Sequence, residues 1–574
     1  MLTPRASASA SRPAQPARDT PIMLAASGSR SRWIAGAFLF CAVIWFAGLE
    51  YRGLFTPDEG RYADIAREML DSNDWVTPRL NGIKYLEKPP LQYWTTAGAF
   101  ALFGVDEWTA RLWPALTGFL GIVFTAFAGL RLAPRSPWLP TALIAAGCWG
   151  YFLGGQFLTL DMGLTFFLTV AMLSFALSRR PDVSPSAERG WMILAWAAVA
   201  CAVLSKGIVG IVIPGLALLV YLAIERDLSL LRRLHWIPGL CVFAAIVLPW
   251  FILVQQRNPE FFHFFFIREH FERYLLPNHD RPGPWWYFGP VLLIGLWPWT
   301  PSIPAAFAGA WKAPALSGFK LDRFLVIWAC VVVVFFSASH SKLPGYVLPA
   351  VPAILLLFAR HYPAMSERLR RAPAFACVAS GLALALLAAA LPILSERWSW
   401  TEFDPHYAIW LFPGALSMSA AGLAGLRLHR RAADEASLAV VGLGSLLAVQ
   451  IALSGTHVLD EHYSSERLME AVVGEKKQFP REPPFYSVAS FDQSVPFYLG
   501  RPVTLVGYKD ELAPGIAAEP GKYVASVEEF LGRWDGHGEA FAIMTPHLYE
   551  KLRQQGLPGR VLARDTRRII IARR

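Results

Sequence analysis

Phe157-Leu-Thr-Leu-Asp-Met-Gly-Leu-Thr-Phe-Phe-Leu-Thr-Val-Ala-Met-Leu-Ser-Phe-Ala-Leu-Ser178 contains one charged side chain, Asp161, and runs straight into Arg179-Arg180. A bilayer is crossed by roughly 20 apolar residues in a helix, so the stretch reads as a membrane span with an acid at one mouth and basic residues at the other. The pattern recurs on both sides of it. Apolar runs near 33–49, 108–130, 138–153, 191–205, 208–224, 237–254, 286–309, 322–337, 343–358, 372–394, 407–427 and 437–455 bring the expected total to about thirteen spans. The shorter run 91–104 reads as an interfacial or re-entrant segment.

The whole chain agrees with this reading. Its 574 residues are 54% hydrophobic and 17% charged, which is more apolar surface than one soluble core could cover. The expected fold is therefore mainly α, a polytopic membrane protein. The net charge of +10 does not indicate nucleic acid, because its basic residues recur in every second loop as orientation signals do. Arg131/Arg135, Arg179/Arg180/Arg189, Arg226/Arg232/Arg233, Lys312/Lys320/Arg323, Arg360/Arg368/Arg370/Arg371 and Arg427/Arg430/Arg431 mark the cytoplasmic side. Residues 1–32, with Arg5, Arg12, Arg18, Arg30 and Arg32, read as a cytoplasmic tail ahead of an uncleaved first helix. All six cysteines fall singly inside apolar runs, a pattern that offers neither a disulfide framework nor a thiolate metal site.

This topology divides the chain into the tail 1–32, a membrane domain 33–455 with outer loops 50–107 and 255–285, and a soluble domain 456–574 outside the cytoplasm. Strand-like runs at 485–488, 503–506, 541–544 and 569–572 alternate with helix-like runs at 527–534 and 546–555, which predicts a small α/β module. No catalytic motif stands out in it, and a lid or docking surface is the expected role.

Polar residues that are costly at membrane depth gather in the outer loops. Thr56-Pro57-Asp58-Glu59 reads as a helix start, with Thr56 as cap, Pro57 in the first turn and Glu59 as the capping-box acid, which leaves Asp58 free at the helix N-terminus. In Lys84-Tyr-Leu-Glu-Lys-Pro-Pro90 the prolines present Glu87 and Lys88 from rigid backbone, and Lys88 is a point charge suited to phosphate or to a headgroup salt bridge. Asp161 either caps its helix or seeks a cationic partner, and Lys206, in a turn between spans, either reaches headgroups or joins the site. In Arg268-Glu-His-Phe-Glu-Arg-Tyr274, Glu269 and Arg273 are spaced to pair on a helix. Glu87 and His270, from separate loops, could hold a divalent cation such as Zn or Mg, although no local zinc motif accompanies them. Ser341-Lys-Leu-Pro-Gly-Tyr346 adds a further cation and a phenol. Together Lys88, Lys206, Arg273 and Lys342 around Asp58, Glu87 and Asp161 suit a phosphate-bearing ligand.

These residues carry a resemblance. Thr-Pro-Asp-Glu-x-Arg-Tyr at 56–62, Leu-Glu-Lys-Pro-Pro-Leu-x-Tyr-Trp at 86–94, Thr-Leu-Asp at 159–161, Leu-Ser-Lys-Gly at 204–207, Glu-His-Phe-x-Arg at 269–273 and Lys-Leu-Pro-x-Tyr at 342–346 occur in that order. A weaker match follows at Phe491-Asp-Gln-Ser-Val-Pro-Phe-Tyr-Leu-Gly500. The chain resembles the polyprenyl-phosphate-dependent GT-C-type glycosyltransferases, relatives of protein O-mannosyltransferases, and most closely the lipid A aminoarabinose transferases. The resemblance implies transfer of 4-amino-4-deoxy-L-arabinose from undecaprenyl phosphate to a lipid A phosphate on the periplasmic face of the bacterial inner membrane, giving polymyxin resistance. It implies Asp58 as the principal catalytic carboxylate, supported by Asp161, with Glu59 beside it. Lys88, Arg273, Lys342 and Tyr346, with Lys206, Arg61, Tyr62 and Tyr85, are the expected grip on the donor phosphate. The expected partners are the lipid-linked donor, lipid A and the bilayer, with a monomer as the working form. The closest rival is a transferase of the same superfamily that uses a protein or another cell-envelope acceptor. A transporter would place charges mid-span and show internal repeats, neither of which is found.

Overall fold

The computed structural model describes residues 22–132, 138–272, 282–312, 318–398, 404–474, 483–536 and 538–573. Among them, nine helices are long and apolar enough to cross a membrane, or ten if Phe288–Gly295 and Thr300–Lys312, which meet at 112°, form one bent span. Each of the thirteen apolar runs coincides with helix, but four fall short of a straight span. Runs 33–49 and 208–224 give the short apolar helices Ala35–Phe46 and Val209–Glu225, and 138–153 breaks into Trp138–Ala146 and Trp149–Gln156. The fourth, 286–309, bends around Pro298, whose missing N–H and bulky ring interrupt an α-helix. Hydropathy reads how apolar a run is, whereas a span also needs unbroken backbone. The first helix, Ile22–Phe46, begins ahead of the expected boundary at Trp33.

Leu160–Ser178, the run that opened the sequence reading, is among the most enclosed of the spans, packed between Glu107–Leu132 and Pro185–Lys206. Its position puts the Asp161 end at the centre of one mouth of the bundle. The segment 91–104 forms Leu91–Phe103, whose C-terminal end leaves Leu102 and Phe103 exposed, as an interfacial helix does.

The C-terminal domain is built on a six-stranded sheet with strands in the order Tyr523–Val524, Thr504–Val506, Phe485–Val488, Phe541–Met544, Ile569–Ala572 and Arg560–Arg564. Strands β3 (Phe485–Val488), β4 (Thr504–Val506), β5 (Tyr523–Val524) and β6 (Phe541–Met544) run parallel, while β8 (Ile569–Ala572) pairs antiparallel with β6 and with β7 (Arg560–Arg564). The apolar strands β3, β6 and β8 are buried along their whole length, as strands covered on both faces are. Helices Val527–Gly536 and Pro546–Gln554 stand where the sequence placed them. The two-residue strand β5 and the largely exposed β7 carry too weak an apolar pattern to be read in advance.

This domain is docked on the first loop. Leu54, Ile65, Met69 and Tyr85 share one apolar core with Phe485, Phe497, Leu505 and Leu512. The two-residue strands Arg79–Leu80 (β1) and Ile83–Lys84 (β2) form a hairpin turned by Asn81-Gly82, both with positive φ, as an Asn-Gly turn requires. At its tip the Asn81 amide donates to Val503 O at 2.8 Å and accepts from Val503 N at 2.7 Å. Arg79 pairs with Glu519 at 2.9 Å. Gly60 permits close contact, since a Cβ there would lie 2.5 Å from the backbone of Ser494.

Candidate functional site

The helix Asp58–Ser72 starts with Pro57 at its cap position. Thr56 does not cap it; its hydroxyl donates to Gln493 Oε1 of the C-terminal domain at 2.9 Å. Glu59 requires a correction. It was expected among the catalytic acids, but its carboxylate points away from the cavity and accepts from Arg52 Nη1 at 2.7 Å, Arg111 Nε at 2.8 Å and the backbone N–H groups of Phe55 and Leu158 at 3.0 Å. Burial alone would raise its pKa, but Arg111 and Arg52 hold it well below the usual carboxylate range. The charge holds the first loop to the bundle. Asp58, one residue earlier, faces the cavity with a 35% exposed side chain and accepts from Arg61 Nη1 at 2.8 Å.

The cavity measures about 390 Å³. Its described lining carries six carboxylates (Asp58, Glu87, Asp161, Glu269, Asp510, Glu511) and four cations (Arg61, Lys88, Lys206, Arg268). Pro89 and Pro90 lead directly into the helix Leu91–Phe103 and leave Lys88 in a bend, where its ammonium lies 3.5 Å from Glu269 and 4.0 Å from Glu87. Glu269 thus faces Lys88; its expected partner Arg273 lies outside the described residues, as does the side chain of His270. Glu269 and Arg268 sit on a π-helical segment, His263–Glu272, a form frequent at functional sites.

Asp161 and Lys206, from two different spans, form an ion pair, and the ammonium stands 4.5 Å above the Tyr346 ring. Gly345 makes room for Asp161, because a Cβ at that position would come within 2.7 Å of its carboxylate. Lys342 is the second correction. It is buried, its ammonium donates to the carbonyls of Ser337 and Ser339, and it is not part of the cavity lining, although its neighbours Ser341 and Leu343 are. Its ammonium is held instead by carbonyls at the C-terminal end of the span Leu321–Ala338.

Tyr62 and Tyr85 are buried, and burial, with neighbouring carboxylates, raises both phenols, so they remain hydroxyl donors. The Tyr85 hydroxyl donates a hydrogen bond to Glu87 Oε2 at 2.9 Å. Among the described residues no group of three or more His, Cys, Asp or Glu side chains is arranged to hold a metal. Arg268 and Glu269 line the cavity although the sequence reading did not assign them to the site, and the residues it missed in the C-terminal domain are Gln493, Asp510 and Glu511, which form part of the cavity wall. Only the match at 491–500 hinted at any of them. Phe264, Arg268 and Glu269 of the π-helical segment line the cavity, whereas Phe265 and Phe266, with Phe261 just ahead of the segment, line an apolar groove of about 440 Å³ shared with the spans at Val203 and Phe251.

A charged cavity at the edge of a many-helix bundle, walled in part by the α/β domain and next to an apolar groove, fits a membrane enzyme acting on a lipid with an anionic head. The known proteins agree. A family model for the aminoarabinose transferase C-terminal domain matches residues 472–573, and one for dolichyl-phosphate-mannose-protein mannosyltransferase matches 31–265. The structure of ArnT from Cupriavidus metallidurans bound to undecaprenyl phosphate is 36% identical, superposes with a TM-score of 0.86, and is covered over 98% of its chain by 95% of this one. The chain therefore belongs to the aminoarabinose transferase family. Undecaprenyl phosphate-alpha-4-amino-4-deoxy-L-arabinose arabinosyl transferases of Erwinia tasmaniensis and Edwardsiella ictaluri are each 32% identical, over 56% and 57% of this chain. These two matches span 58% of the length of each relative.

Proposed function

We propose that the protein transfers 4-amino-4-deoxy-L-arabinose from undecaprenyl phosphate to a phosphate of lipid A, at the periplasmic face of the bacterial inner membrane. The observation that carries this reading is the convergence of Asp58, Lys88, Asp161, Lys206 and Arg268, from four separate segments, in one cavity beside an apolar groove. The groove suits a polyprenyl tail, and the cations suit the phosphate at its end. The names of the relatives support the sugar and the carrier.

The chemistry asked of these residues is modest. A phosphate oxygen of lipid A attacks the anomeric carbon of the sugar, the bond from that carbon to the carrier phosphate breaks, and its electron pair leaves with undecaprenyl phosphate. An anionic acceptor needs little deprotonation, so the barrier falls mainly through alignment and through neutralising the leaving phosphate with Lys88, Lys206 and Arg268. Asp58, one oxygen of which is bound by Arg61, orients the acceptor or meets positive charge developing on the sugar. The proposed working form is a monomer. A divalent cation at Glu87 would compete with Lys88, and sensitivity of transfer to chelators tests for one.

The match to the mannosyltransferase model over the first loop and early spans favours a second reading, transfer to a hydroxyl on protein or another envelope acceptor. Mass spectrometry of lipid A from cells with and without the gene decides between them. The proposal expects a gain of one pentosamine per modified phosphate, and unchanged lipid A contradicts it. The added amine lowers the net negative charge of lipid A and with it the binding of cationic peptides.

A further inference from the structure

The first loop and the C-terminal domain meet at the cavity in a chain of four hydrogen bonds that closes on Asp58. Asp58 Oδ1 accepts from Arg61 Nη1 at 2.8 Å, and Arg61 Nη2 pairs with Glu511 Oε2 at 2.6 Å. Glu511 Oε1 accepts from Gln493 Nε2 at 2.7 Å, and Gln493 Oε1 accepts from Thr56 Oγ1 at 2.9 Å, two residues before Asp58. Each of the four bonds joins a donor to an acceptor, while the third Arg61 donor, Nε, is buried with no partner among the described residues. The Arg61 and Glu511 side chains are nearly enclosed, at 9% and 13% exposed, so water competes little for them. Thr56, Asp58 and Arg61 belong to the first loop, whereas Gln493 and Glu511 belong to the C-terminal domain, so the ring exists only when the two are docked.

We propose that Glu511 is a positioning residue for Asp58, acting through Arg61, so that the C-terminal domain completes the transfer site as well as covering it. An arginine fork left to itself beside a carboxylate turns to bind both oxygens. Glu511 prevents this by taking the second arm of Arg61, and Gln493 fixes Glu511 in turn. Asp58, which lines the cavity, then takes a single hydrogen bond from Arg61, at Oδ1, and its other oxygen is not bound by that fork. Three features of the sequence acquire one purpose: the Arg61 of the first-loop motif, the Gln493 of the 491–500 match, and a glutamate that no motif marked.

The inference rests on Asp58 being catalytic, and the experiment keeps the two apart. Transfer is measured with full-length protein in native membranes at varied donor concentration for wild type, Asp58→Asn, Glu511→Gln, Arg61→Lys and Glu519→Gln. Glu519 ties the same two domains through Arg79 but does not line the cavity. The expected result is a fall in kcat of about 10- to 100-fold for Glu511→Gln with KM for the donor nearly unchanged, because a misplaced group costs rate more than affinity. Arg61→Lys falls comparably, a variant carrying both Arg61→Lys and Glu511→Gln falls no further than the worse single one, and Glu519→Gln keeps wild-type kcat. Equal losses in Glu511→Gln and Glu519→Gln overturn the inference, since domain docking alone would explain both. So does wild-type kcat in Glu511→Gln while Asp58→Asn is inactive. If Glu511→Gln does not accumulate, Arg61→Lys decides, and wild-type kcat there overturns it. Full activity of Asp58→Asn defeats the catalytic reading itself.

Discussion

Asp58 and Glu59 are neighbours in sequence and opposites in surroundings. Glu59 has a 2% exposed side chain, and two arginines and two backbone N–H groups meet its charge. Asp58 is 35% exposed and has one arm of Arg61. The first lies in a knot of charge with nothing left to offer a ligand; the second lies in the wall of a cavity. The contrast teaches that a buried charge is structural when its partners fully enclose it, and available for chemistry when they leave capacity facing a cavity.

The largest effect that would break the contrast is on the structural side. Glu59→Gln leaves Arg52 and Arg111 buried without a counter-charge and is expected to cost about 3–5 kcal/mol of stability, read as a lowered Tm of the detergent-solubilised protein. Its wild-type contribution also has a defined pH sign. The pKa is depressed in the fold, so the stabilisation is present above the ordinary carboxylate range and is lost as pH falls toward the folded value. On the other side, Asp58→Asn is expected to fold normally and to lose about 100- to 1000-fold in transfer rate, equivalent to about 2.7–4 kcal/mol of barrier. A variant of Asp58 that unfolds the protein, or one of Glu59 that only slows transfer, reverses the assignment.

A third acid sharpens the comparison with a smaller effect. Glu466, at the junction to the C-terminal domain, is pushed up to about 7 by burial and by the nearby Asp460 and Glu470. Here the folded pKa is raised, so the cost of its charge appears as pH climbs from the ordinary carboxylate range through about 7. Glu466→Gln should therefore raise stability at pH 8 by about 1–2 kcal/mol and leave it unchanged at pH 4, in a thermal melt at each pH.

How much of this was legible in the sequence depended on how far apart the determining partners lie. The spans, the strands Phe485–Val488, Phe541–Met544 and Ile569–Ala572, and the candidates Asp58, Lys88, Asp161 and Lys206 could be read because local pattern fixes them. The place of Glu59 outside the cavity was not legible because a capping-box pattern does not show that Arg52, in the same loop, and Arg111, in the next span, both turn toward its carboxylate. Lys342 was misassigned because spacing places a lysine near a site without deciding which way its side chain turns. Glu511 was invisible for a third reason: its role arises from domain docking across more than four hundred residues, which leaves no periodicity or motif behind.

The central claim, that the cavity at Asp58 holds the phosphate of the lipid carrier, is tested most directly by the affinity of the purified protein for undecaprenyl phosphate. Lys88→Ala is expected to weaken binding about 10- to 100-fold, as loss of one charged hydrogen bond would, while Lys342→Ala leaves affinity unchanged. Wild-type affinity in Lys88→Ala, or a loss confined to Lys342→Ala, would contradict it.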